Sequence, residues 1–350
     1  MMFFTLPLPQ FLRERERKMV IFPISSPPAQ CPAYAIAGFM SAEECTVLRR
    51  LAEKQRASGR LGLGCQADDA SLREDERAAL AAFEQRVAAI TGCAPHDSDG
   101  KAVFKFSCSA TGSTDVLEEE DEDQGTLTAE QQACRLPGLP MGLHVDTHNQ
   151  QSRRFASVIL YLNTLPPGTG GETVFPNDKT RGEELLQAHL THTHTASRPG
   201  GDPRAQRAAA ALLATAQGVC CCDSTAHPPS LEASASSALR SDGRALAVCP
   251  REGQCLLFYT RHPATGGHID ALSWHGGARV GGAETEKWIL QKFKAVPLPR
   301  GARRLEETGI AQWVCRHVSF PQAGCLDLGS SAAERLDPCL ADTPAQANCC

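Results

Sequence analysis

Aromatic side chains are scarce in this chain. Three Tyr, three Trp and 13 Phe stand against 29 Gly and 23 Pro. So few rings among so many turn formers imply long irregular segments around a comparatively small core. Long hydrophobic runs are missing too. No stretch approaches the roughly 20 apolar residues that a bilayer-spanning helix needs, so no membrane partner is expected. An excess of positive charge is absent: 35 Lys and Arg face 40 Asp and Glu, a formal net charge of -5. Bulk charge therefore gives no reason to expect a nucleic-acid partner. The apolar residues 1–12 precede the charged run 13–18 and are broken by Pro7 and Pro9. That order is the reverse of a secretory leader, and a cytoplasmic protein is expected. Nucleophile elbows, phosphate loops and standard zinc spacings are also lacking.

Cysteine, by contrast, is plentiful at 16 residues, with clusters at Cys220, Cys221, Cys222 and at Cys349, Cys350. Adjacent cysteines rarely bond to each other, so the count does not fix the redox compartment. Two helices are signalled early. Ser41 and Glu44 form a capping-box pair, Val47, Leu48 and Leu51 follow at helical spacing, and Gly59 lies beyond the end. Ser71 and Glu74 repeat the signal, followed by Leu80, Phe83, Val87 and Ile90, with Gly92 as the stop.

After Gly100 the pattern turns to short strands at 103–106, 155–162, 173–175, 255–259 and 287–293. The acidic tract 118–123 reads as a solvated loop. Residues 178–247 carry a His/Thr run, an Ala-rich piece and a Ser/Ala tract. A structureless connection of that length is unusual inside a domain, so it is expected to be a largely disordered insertion with one short helix. The chain divides into an extension at 1–31, a domain at 32–298 with insertions near 111–137 and 178–247, and a tail at 299–350. Helices first and then many strands predict an α+β domain with a sandwich or barrel core.

The chemistry centres on His144 and Asp146. Residues i and i+2 of a strand share a face, so this pair can grip one metal. A distant histidine would complete the 2-His-1-carboxylate triad typical of non-haem iron oxygenases. Alone the pair is a weak signal, for His268 and Asp270 repeat it among 11 histidines. His189, His192 and His194 lie in the compositionally biased insertion and read as solvated loop.

Several motifs then occur in one order: residues 32–45 (PAYAIAGFMSAEEC), His144-x-Asp146, 154–163 (RFASVILYLN), 170–176 (GGETVFP), 250–258 (PREGQCLLF), 270–280 (DALSWHGGARV) and 286–288 (EKW). Together they resemble the prolyl 4-hydroxylase branch of the Fe(II)- and 2-oxoglutarate-dependent dioxygenases, over roughly residues 32–296. The resemblance implies a double-stranded β-helix (a jelly roll, cupin-like) with the two N-terminal helices packed on its outer sheet. It implies Fe(II) held by His144, Asp146 and His275, with His148, His262 and His268 as rivals for the last place. Asp270 would match the acidic residue ahead of the distal ligand. Lys287 would pair with the distal carboxylate of 2-oxoglutarate.

Met141 and Arg135 stand where the family commonly has tyrosines. Thr173 or Tyr161 is expected to make up the hydrogen bond lost at Met141. Alternation along β-structure leaves open whether Lys287 and Ile289 or Trp288 and Leu290 face inward. The activity implied is hydroxylation of a peptide or protein substrate, at proline and in a proline-rich setting, with O2 as co-substrate and ascorbate as a further cofactor. 2-Oxoglutarate would be decarboxylated to succinate and CO2. Another 2-oxoglutarate oxygenase and a degenerate, non-catalytic binding domain are the competing readings.

Overall fold

The structure is a computed structural model of the chain. It describes residues 18–327 apart from 111–140, 147–152, 195–244 and some shorter stretches. The acidic tract, the clustered cysteines, Arg135 and His148 lie outside the described residues, as do the 111–137 insertion and most of 178–247.

The described chain is mixed α/β with two antiparallel sheets. The larger sheet is built from β1 (Lys18–Ser25), β2 (Ala33–Ala37), β3 (Lys105–Ala110), β5 (Arg154–Tyr161), β8 (Cys255–Tyr259), β10 (Glu286–Ala295) and β11 (Gly324–Asp327). Its strand order is β11-β1-β2-β8-β5-β10-β3. The smaller sheet holds β4 (Met141–His144), β6 (Thr173–Pro176), β7 (Ala245–Val248) and β9 (His275–Gly277), in the order β4-β9-β6-β7. The larger sheet thus takes in residues on both sides of 32–298. The tail, which shows little periodicity, contributes α4 (Glu307–His317) as well as β11.

Period-two alternation sorts the central strands onto two faces. Val158 and Leu160 of β5, Leu257 of β8 and Leu290 of β10 join Leu48, Leu51, Leu80, Phe83 and Val87 in one core. These last five residues belong to helices α1 (Ala42–Ala57) and α2 (Glu74–Thr91). Ile159 and Tyr161 of β5, with Leu256 and Phe258 of β8, meet Phe175 of β6 and Leu246 and Val248 of β7 in the other. The helices therefore cover one face of the larger sheet and the smaller sheet covers the opposite face. Continuous apolar runs in β5 and β8 follow from this double covering.

The α1 start is as expected: Ser41 Oγ accepts from Glu44 N at 3.0 Å and Glu44 answers to Ser41 N at 2.7 Å. The α2 start differs. The pairing of Ser71 with Glu74 is replaced by Arg73 with Glu76, whose carboxylate accepts from Arg73 N at 2.8 Å. Ser71 instead donates its N–H to Asp69 at 2.9 Å. A turn closed by Asp69 delays the helix by two residues. The strand expected at 103–106 begins later, at Lys105, because Phe104 bridges to Cys65 rather than to β10.

Within 178–247, residues 179–194 form α3, a 16-residue helix (Lys179–His194). Its approach to the body is close. A Cβ on Gly182 would stand 2.3 Å from the Ala271 carbonyl oxygen, so only glycine fits. The Trp274 indole donates to Gly182 O at 3.1 Å, and Leu185 packs with Val145 and Trp274.

Candidate metal centre

His144 is the last residue of β4 and Asp146 follows just past the strand end. The pair therefore sits at a strand terminus and not within a continuous strand. In the smaller sheet β4 pairs with β9, and His144 stands directly opposite His275. Antiparallel pairing thus brings together residues 131 positions apart in sequence, given by 275 − 144. His144 Nε2 lies 3.3 Å from Asp146 Oδ1, and His275 Nε2 lies 3.5 Å from Asp146 Oδ2. The two imidazole rings are 4.4 Å apart between centroids. The three ligand atoms fall within 4.8 Å of one another. No other such group of His, Cys, Asp or Glu occurs among the described residues.

Neighbouring groups fix His275 and Asp146. The Nδ1 of His275 lies 2.9 Å from the Ser273 carbonyl. A carbonyl can only accept, so Nδ1 carries the proton and Nε2 keeps its lone pair toward Asp146. Phe258 and Phe175 pack on the ring at 4.6 and 5.6 Å between centroids. Burial lowers the His275 pKa to about 4, against the opposing pull of Asp146. The ring is neutral at pH 7, the form in which imidazole binds metals.

Burial works to raise the pKa of Asp146, but His275, His144 and the Ser157 hydroxyl outweigh it and hold the carboxyl well below its usual range. Ser157 Oγ donates to Oδ2 at 2.5 Å, and Arg154 donates to the Asp146 backbone carbonyl at 3.1 Å. Two imidazoles and one carboxylate on one side of a site suit a divalent metal such as iron.

The rival histidines are engaged elsewhere. His262 Nε2 pairs with Asp270 Oδ2 at 2.9 Å, and Asp270 also caps the 3-10 turn at 271–273 through Leu272 N at 2.9 Å. His268 faces Glu307 at 3.4 Å and is exposed. The second His-x-Asp pair is therefore split, its two side chains turned to different partners.

His144 and His275 line a cavity together with Thr173, Lys287, Ser107 and Gln291, among others. The Lys287 side chain is buried, at 6% exposure, and its Nζ lies over the Tyr161 ring at 5.6 Å. Burial lowers its pKa to about 8, opposed by the charge of Glu172. No carboxylate stands within 4.0 Å of Nζ among the described residues, so a ligand carboxylate would find it unpaired. Thr173 lines the cavity, whereas Tyr161 does not. Tyr161 is fully buried, and its OH meets Thr173 Oγ1 at 2.9 Å. The tyrosine thus backs the threonine from behind. The Met141 backbone pairs with Gly277.

Ser157, Ser273 and Gln291 escape sequence reasoning; one short helix is expected within 178–247, but not the place or the 16-residue length of α3. Ser157 leaves one trace, as the only polar residue between Phe155 and Leu162 other than Tyr161.

No protein-family model and no curated protein matches the chain. It is similar to several solved structures. A Pseudomonas putida prolyl-4-hydroxylase is 14% identical at a TM-score of 0.33, over 75% of this chain and 87% of that one. The viral collagen prolyl hydroxylase of Paramecium Bursaria Chlorella virus-1 is 15% identical at 0.33, over 78% and 96%. The epimerase SnoN, in complex with Fe3+, alpha ketoglutarate and nogalamycin RO, is 14% identical at 0.32, over 87% and 93%. Likeness at this level does not say what this chain acts on. Among the described residues no helix is long and apolar enough to cross a membrane.

Proposed function

We propose that this chain is an Fe(II)- and 2-oxoglutarate-dependent dioxygenase of the prolyl 4-hydroxylase kind, acting at proline on a peptide or protein substrate. One observation carries the reading: His144, Asp146 and His275 converge within 4.8 Å at a cavity that also holds the buried cation of Lys287. Two antiparallel sheets with an apolar core between them support a double-stranded β-helix as the architecture.

His144, Asp146 and His275 would hold the iron, and Lys287 would pair with the distal carboxylate of 2-oxoglutarate. Thr173, steadied by Tyr161, offers that carboxylate a hydroxyl. When bound, iron and 2-oxoglutarate would supply the oxidising power, with O2 consumed, 2-oxoglutarate split to succinate and CO2, and ascorbate keeping the metal reduced. The chain itself keeps His275 neutral, Asp146 ionised and the metal wall backed by Phe175 and Phe258. The apolar backing excludes water from the rear of the site and sharpens its electrostatics.

The test is succinate release from 2-oxoglutarate with Fe(II) and ascorbate, with and without a proline-rich peptide. The wild type is expected to turn over and to be stimulated by the peptide. His144→Ala and Asp146→Ala are each expected to lose iron binding and turnover. Near-normal turnover in either variant would remove the metal assignment.

A further inference from the structure

The cavity has a second wall that the proposed chemistry leaves unused. Lys287 pairs across the sheet with Ser109, and Ile289 with Ser107. Cross-strand partners share a face, and with period two Gln291 joins them on that face. Ser107, Ser109, Ile289 and Gln291 line the same cavity as His144 and His275. Gln291 is buried, at 8% exposure. Ser107 Oγ lies 3.4 Å from its Oε1, and among the described residues nothing pairs with its Nε2.

A carboxamide carries two donors and one acceptor. With its oxygen held by Ser107, the amide nitrogen of Gln291 is open to the cavity, where its two donors can meet a bound group. Charge narrows the ligand. Lys287 is the one Lys or Arg lining the cavity among the described residues, and no Asp or Glu lines it beside the polar wall.

Resting on the 2-oxoglutarate reading, Lys287 is occupied by the co-substrate. What remains for the substrate is a neutral hydrogen-bonding surface of serine hydroxyls and one amide. We infer that Gln291, oriented by Ser107, contacts the substrate and selects for an uncharged amide or carbonyl group beside the carbon that reacts, against acidic and basic groups there.

The experiment uses the full chain loaded with Zn(II) and 2-oxoglutarate without O2, so that binding is read without turnover. The probe is a synthetic decapeptide library with every residue type at the centre, flanked by uncharged, Asp or Lys residues. Bound peptides are counted by mass spectrometry. The wild type is expected to retain uncharged-flank peptides over both charged sets. Gln291→Leu is expected to retain about tenfold less, the loss of one hydrogen bond to a buried group. Gln291→Glu is expected to shift retention toward Lys-flanked peptides.

Calorimetry on the same variants should show unchanged 2-oxoglutarate affinity, and thermal melting should show a folded protein. Unchanged peptide retention in folded Gln291→Leu overturns the inference. So does a wild type that prefers charged flanks, or one that binds 2-oxoglutarate and metal yet retains no peptide; in those cases the dioxygenase reading survives. A wild type that binds neither metal nor 2-oxoglutarate removes both.

Discussion

The Ser157 hydroxyl donates to Asp146 Oδ2 at 2.5 Å, reaching from β5 of the larger sheet to a residue at the edge of the smaller one. The bond leaves Oδ1 beside His144 and holds the carboxylate at a fixed angle. Partners behind a metal ligand typically contribute 10–100-fold to metal affinity. Ser157→Ala is accordingly expected to bind Co(II), used as a spectroscopic stand-in for Fe(II), about tenfold more weakly. An optical titration reads this directly, and equal affinity in the two proteins would show that Asp146 is oriented by other groups.

The charge on Lys287 sets a pH window. Burial brings its pKa down to about 8, so the pairing cation is present below that pH and is lost above it. Affinity for 2-oxoglutarate is expected to be flat from pH 6.5 to 7.5 and then to fall, approaching tenfold per pH unit above the break. Lys287→Arg should abolish the break because a guanidinium stays protonated. Lys287→Ala should raise the 2-oxoglutarate requirement at every pH. The folding linkage has the opposite slope: between about 8 and 10.5 the unfolded chain holds the extra proton, so this residue adds stability as pH rises. A pH-independent affinity in the wild type would move the anchor elsewhere.

Leu185 of α3 packs against Val145 and Trp274, the residue between His144 and Asp146 and the residue just before His275. One helix side chain therefore buttresses both segments that carry the triad. Leu185→Ala is expected to destabilise the fold by about 2–5 kcal/mol in urea melts and to weaken Co(II) binding. Leu48→Ala, in the other core, serves as control: it should lose similar stability and keep its metal affinity. Loss of metal affinity in both would reduce the effect to general loosening.

Arg261 is completely buried. It donates to Glu307 at 2.5 and 2.9 Å and to the Gly267 carbonyl at 3.1 Å. The pair clasps α4 to the segment that leads into His275. Glu307→Gln removes a charge-assisted bond between this buried guanidinium and a half-exposed carboxylate, which should cost about 2 kcal/mol. A melt displaced by less than about 1 kcal/mol would mean that water or the carbonyl suffices for Arg261.

Much of the local structure is legible in the sequence. The Ser41–Glu44 capping box, the spacing of Leu80, Phe83, Val87 and Ile90, and the apolar runs at 155–162 and 255–259 each record a nearest-neighbour preference of the backbone. His144 and Asp146 were readable for the same reason, being two positions apart. Relations set by distant pairing were not readable. Whether His262, His268 or His275 meets that pair depended on the β4–β9 register. Which way Lys287 points depended on the smaller sheet covering one face of β10 and the helices the other. The hydroxyl of Ser157 and the wedge of Leu185 carry no local signature at all, since a serine in a strand or a leucine in a helix reads alike wherever it faces. Periodicity is a property of neighbours along the chain, whereas the site is made by contacts across it, and those exist only once both sheets are closed on their common core.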